Sequence, residues 1–184
     1  MKTYSEIKIF LEHILSGKDE VSKFKHLSDD ALKSRPSSNL MQSDRYHIHD
    51  RPNGDTGMIT VHHPKTGNHI ASIHYNKVGG KFLRMTEMTK DPDNKDGRVA
   101  HEVISHMHDA HGYKFLSSNT LTEAGRRVWE HLAETHSVHA VRHDRSRKKL
   151  VAVSKNLPPK SLKKYESKIG GKHEDTEFYL GGKK

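Results

Sequence analysis

Residues 97–132 alternate between two kinds of spacing, and that alternation limits the folds open to this chain more than any other feature. Val99, Val103, Ile104 and Met107 recur at helical intervals, while His101, Glu102, Ser105, His106 and Asp109 fall on the other side. Gly112 supplies a stop, and Tyr113-Lys114-Phe115-Leu116 reads as a short buried strand. Thr120-Leu121-Thr122-Glu123 has the form of a capping box, with Thr120 accepting the amide of Glu123 while Glu123 reaches back. The helix it opens aligns Leu121, Ala124, Val128, Trp129 and Leu132. This order puts two helix N-termini beside strand ends, where backbone N–H groups can meet a phosphate.

Upstream the period is two. Tyr46 and Ile48 alternate with His47 and His49, and Arg51-Pro52-Asn53-Gly54-Asp55 reads as a turn into a strand from Met58 to His63. Pro64-Lys65-Thr66-Gly67-Asn68 is a hairpin turn, Ile70 to Tyr75 returns, and Val78-Gly79-Gly80 leads into Lys81 to Met88. Downstream, Val138–His143 and Lys149–Val153 read as strands, Leu157-Pro158-Pro159 as a break, and Glu177–Leu180 as a further strand. A meander followed by helix, strand, helix and strand predicts an α+β fold with one mixed, mainly antiparallel sheet flanked by helices.

Three segments are expected: an N-terminal helical segment over 1–40, the sheet domain over 41–153, and a basic C-terminal extension over 154–184. The first carries short helices over 4–15 and 21–33, then a loop at Arg35–Asn39. The last presents Leu162, Tyr165 and Ile169 as an exposed apolar stripe on a short basic helix.

Charge is unevenly placed. Residues 142–172 hold 11 Lys and Arg against Asp144 and Glu166, which accounts for the whole formal net charge of +9. Such a segment attracts nucleic acid or an acidic protein, or simply stays solvated. With no cysteine, disulfides and thiolate chemistry are excluded. No apolar run reaches the length of a membrane span, so the expected location is cytoplasmic, with no membrane partner.

Seventeen histidines raise the question of a metal. His101 and His106 are five apart, about 140° around a helix, whereas a shared helical metal site needs a spacing of four. His108 with His111, and His47 with His49, form pairs without a sequence-evident third ligand. The expectation is no metal.

The order of elements over residues 45–153 resembles the GNAT superfamily of N-acetyltransferases. The likeness is carried by the loop Asn94-Lys95-Asp96-Gly97-Arg98-Val99-Ala100 after a strand. It continues in Phe115-Leu116-Ser117-Ser118-Asn119 leading into Ala124 … Val128-Trp129-Glu130-His131-Leu132. Small phage-encoded GNAT-like proteins are similar in that second part, which would place the chain in a host cytoplasm or a virion. The resemblance implies acetyl-CoA as cosubstrate and an amine acceptor, not identified by the sequence. It implies Glu87 as the base and Ser117 as a further catalytic group. Met88, Asp96, Gly97, Arg98, Val99, Ala100, Ser118 and Asn119 would contact the cofactor. The chain departs from the family pattern at Asn94, at Val99 where a small residue is usual, and at Trp129 where a proton-donating tyrosine is usual. The other reading is an inactive GNAT-like module that binds protein or nucleic acid through 142–172.

Overall fold

A computed structural model describes residues 39–79, 81–94, 96–144, 149–166 and 175–184. The helices expected at 4–15 and 21–33 lie outside them, as do parts of the basic segment 142–172 and Ile169. The described residues form a mixed sheet of nine strands flanked by two α-helices and a 3-10 helix. The strands are β1 (Asn39–Gln42), β2 (His47–Asn53), β3 (Thr56–His62), β4 (His69–Val78), β5 (Phe82–Lys90), β6 (Phe115–Leu116), β7 (His136–Asp144), β8 (Lys149–Ser154) and β9 (Thr176–Lys183). The helices are α1 (Val99–His111) and α2 (Glu123–Thr135), and the 3-10 helix spans Pro159–Tyr165. The sheet order is β1-β2-β3-β4-β5-β6-β9-β7-β8, with β5 and β6 parallel and every other pair antiparallel.

The meander follows from strict alternation. Ile48 stands opposite Val61 and Ile59 opposite Ile73, and all are buried on the face that receives the helices. β2 runs further than the sequence turn signal suggests, through Pro52 to Asn53. Pro52 is tolerated because β1 pairs with β2 no further than Asp50, so that side of the strand needs no donor there. The chain reverses at Gly54, whose φ of 60° suits a residue without Cβ. Pairing also begins earlier than expected, at Asn39 rather than after it.

Both helices bury one stripe in the same core. α1 contributes Val99, Val103, Ile104 and Met107, and α2 contributes Trp129, Leu132 and Ala133. Gly112 ends α1 in the left-handed conformation, with its N–H on His108 O and the N–H of Tyr113 on Met107 O. The start of α2 differs from the expected box: Thr122, not Thr120, is the N-cap, accepting the Gly125 N–H at 3.1 Å. Glu123 is then the first helical residue, and it pairs with Arg127 one turn on at 2.6 Å.

The described residues of 154–184, which are 154–166 and 175–184, are not an appendage. The 3-10 helix packs against α2 through buried Leu162, and Arg126 bridges to Glu166 at 3.2 Å. β9 lies inside the sheet, between β6 and β7. Leu162 is therefore core rather than part of an exposed stripe, because its neighbour α2 needs that apolar cover.

Candidate functional site

β5 and β6 pair only at Leu83–Phe115 and Arg84–Leu116, closed by Leu83 N–H on Lys114 O at 2.8 Å. β5 runs on to Lys90, whereas the chain after Leu116 turns toward β9. The two strands therefore part, and α1 begins a short loop beyond the end of β5. A wedge of this kind, faced by a helix N-terminus, is a place where an extended phosphate-bearing ligand can lie.

A bulge decides which side chains face the wedge region. Tyr75 pairs with Met85 and His74 with Glu87, so Thr86 is the extra residue on β5. Simple alternation would have turned Glu87 to the core side with Leu83 and Met85. The bulge shifts the phase: Met88 is half-buried beside the core, and Glu87 is exposed on the face away from the helices, opposite His74.

Ser117 sits at the parting point but is fully engaged. It is buried, its N–H donates to Phe178 O, its hydroxyl accepts the Phe178 N–H at 2.8 Å and donates to Ser118 O at 2.9 Å. Ser118 donates to Thr120 O, and Asn119 is exposed. Val99 is buried in the core and so points away from any ligand at the loop. Trp129 is fully buried as well, 6.0 Å from the Phe178 ring.

The loop before α1 is braced by charge. Asp96 accepts the Arg98 N–H at 3.0 Å, and its own N–H donates to Asn94 Oδ1 at 2.9 Å. Arg45, from the turn between β1 and β2, donates to Asp96 at 2.5 Å and to both oxygens of Glu102 at 2.6 and 2.7 Å. The Tyr46 hydroxyl reaches the same two carboxylates at 3.2 and 3.3 Å. The Arg98 hydrogen bond and the neighbouring cations hold the Asp96 carboxyl below its usual range, while burial and the two acids push the Tyr46 phenol up. Beside this cluster lies a cleft of about 190 Å³ lined by Ser43, Asp44, Arg45, Tyr46, Glu102 and His106.

Gly97 and Arg98 are exposed, and a Cβ at Gly97 would meet nothing within 4 Å, so there is room at the helix start. The Arg98 amide, however, is held by a carboxylate in the position an anion would take. Arg45 and Tyr46 carried no sequence signal of a role, since Arg45 and Glu102 are 57 residues apart. Among the described residues no group of three histidines or acids is placed to hold a metal ion, and no helix is long and apolar enough to cross a membrane.

No family model and no curated protein matches the chain. Among solved structures it is similar to the Campylobacter jejuni N-acetyltransferase PseH, with 8% sequence identity and a TM-score of 0.36, over 98% of this chain and 92% of that one. A likeness this remote adds nothing to the site, which rests on its own geometry.

Proposed function

We propose that the chain transfers an acetyl group from acetyl-CoA to an amine. The observation that carries this reading is the parting of β5 and β6 with the start of α1 at its mouth. The element order expected from the GNAT resemblance supports it. The helix start has the room such a ligand needs, and Asp96 must turn from the Arg98 amide to admit a phosphate.

In this reading the backbone N–H groups of Gly97, Arg98 and Ala100 hold the pyrophosphate at the α1 terminus. Met88 lines the pantetheine path along β5, and Ser118 and Asn119 offer it hydrogen bonds. Bound acetyl-CoA would supply a thioester carbon open to attack by an amine, the C–N bond forming as the C–S bond breaks, with coenzyme A leaving as the thiol with the amine's second proton. Glu87, exposed at the bulge, takes the proton from the acceptor ammonium so that the nitrogen lone pair is free. Ser117 acts by fixing the wall, since its hydroxyl already donates and accepts within the chain. The Trp129 indole is buried and cannot donate a proton at neutral pH, so no acid is drawn from that position.

The test is acetyl transfer from acetyl-CoA to a panel of primary amines. The reading expects turnover with the wild type and a loss of about 10²-fold in Glu87→Gln, with acetyl-CoA affinity unchanged. Equal rates in the two proteins would remove Glu87 from the chemistry.

A further inference from the structure

We propose that the sheet face away from α1 and α2 is a docking platform for single-stranded nucleic acid, built from Phe82, Tyr179 and His139 with Lys114 and Lys155 at its ends. This goes beyond the transferase reading and does not depend on it.

The register defines the face. Phe178 and Leu180 of β9 enter the helical core, so Tyr179 between them projects to the other side. Tyr179 stands opposite His139 on β7 and opposite Leu116 on β6, which is aligned with Arg84 on β5. Phe82 lies two residues before Arg84, hence on the same face. The three rings form a row across the sheet: Phe82 meets Tyr179 edge to face, with centroids 5.8 Å apart and planes inclined by 81°, and Tyr179 and His139 lie 6.0 Å apart with planes inclined by 21°. All three are half-buried, so each is fixed in place and still reachable.

Two further details fit a stacking surface made by Tyr179 and His139. A Cβ at Gly181 would come within 2.7 Å of His139 Nε2, so the glycine lets the imidazole lie close across β9. His139 Nδ1 accepts the Asn156 N–H at 3.2 Å, which pins the ring from its outer side.

Cations flank the row. Lys114 Nζ lies 6.0 Å above the Phe82 ring at one end. At the other, exposed Lys155 precedes Asn156, whose N–H reaches His139, and burial and then the Lys155 charge hold the His139 pKa down. On this face Glu177 is buried in an ion pair with Arg84, while Glu87 is exposed further along β5. Rings that accept bases of any identity, with lysines beside them to meet phosphates, are the chemistry of sequence-tolerant single-strand binding. An acidic peptide would use the lysines and leave the rings without a partner.

The experiment is fluorescence anisotropy of the full chain with a labelled oligothymidylate and with an abasic oligonucleotide of equal length, at rising salt. The proposal expects tighter binding of the thymidylate, weakening as salt rises. Tyr179→Leu, which keeps an apolar strand residue, should weaken thymidylate binding about tenfold and leave the abasic strand unchanged. Tyr179→Phe should restore it. The exposed pair Lys114→Gln and Lys155→Gln should weaken both oligonucleotides and lower the salt dependence. Equal affinity for the two strands, an unaltered Tyr179→Leu protein, or no binding to either strand would overturn the proposal.

Discussion

The Asp96 carboxylate accepts the backbone N–H of Arg98 at 3.0 Å, and so it fills from within the chain the place at the α1 start that an anion would take. Its other oxygen holds Arg45 at 2.5 Å. Asp96→Asn keeps a capping oxygen but removes the charge, while Arg45 stays on both oxygens of Glu102. Acetyl-CoA should then bind about fivefold more tightly, the effect of roughly 1 kcal/mol at a helix terminus. Calorimetry on the two proteins reads this directly, and weaker binding in the variant would mean that Asp96 assists the ligand instead.

Protonation should loosen the meander. His49, His62 and His69 come from three neighbouring strands, with ring centroids 5.2 and 5.3 Å apart in sequence along the row. Burial lowers all three pKa values and neighbouring positive groups add to it, with His69 brought down to about 4. The unfolded chain therefore binds more protons, and stability falls as pH drops from about 6.5 toward 4. Urea unfolding should show a loss on the order of 1 kcal/mol between pH 7 and pH 5. His69→Gln should flatten that dependence, and an unchanged slope would assign the effect elsewhere.

Gly57 stands opposite Tyr75, and a Cβ there would lie 2.2 Å from the Tyr75 ring and hydroxyl. The ring cannot yield easily, because its hydroxyl donates to buried Asp50 at 2.7 Å and Tyr113 donates to the same carboxylate from the other side at 2.7 Å. Gly57→Ala should cost about 1–3 kcal/mol by overpacking. A thermal melt that matches the wild type would show that Tyr75 can move aside.

Trp129 is fully buried, and its indole N–H has no hydrogen-bond partner among the described residues. Trp129→Phe should therefore cost far less than Trp129→Ala, for which about 3–5 kcal/mol is expected from cavity formation. Trp129→Tyr should not raise acetyl transfer, because a phenol placed there would sit in the core. A rate increase in that variant would return the position to the chemistry.

Much of the fold could be read from local pattern. The α1 stripe of Val99, Val103, Ile104 and Met107, its glycine stop and the meander alternation are all short-range signals, and the structure contains them. The parts that could not be read depend on long-range pairing. Nothing in residues 176–183 says that they insert between β6 and β7, and without that insertion the segment looks like a tail. The bulge at Thr86 is likewise set by pairing with β4, yet it decides the face on which Glu87 projects. Ser117 looked free because its partner, Phe178, lies 61 residues away. The Arg45 brace on the loop was hidden for the same reason.

The central claim is that acetyl-CoA binds at the start of α1, and calorimetry with acetyl-CoA tests it most directly. The account predicts saturable binding that Gly97→Glu abolishes, since the exposed position would then carry bulk and negative charge against the phosphates, in a protein whose melting is unchanged. No heat of binding at millimolar acetyl-CoA, or binding that Gly97→Glu leaves intact, would contradict it.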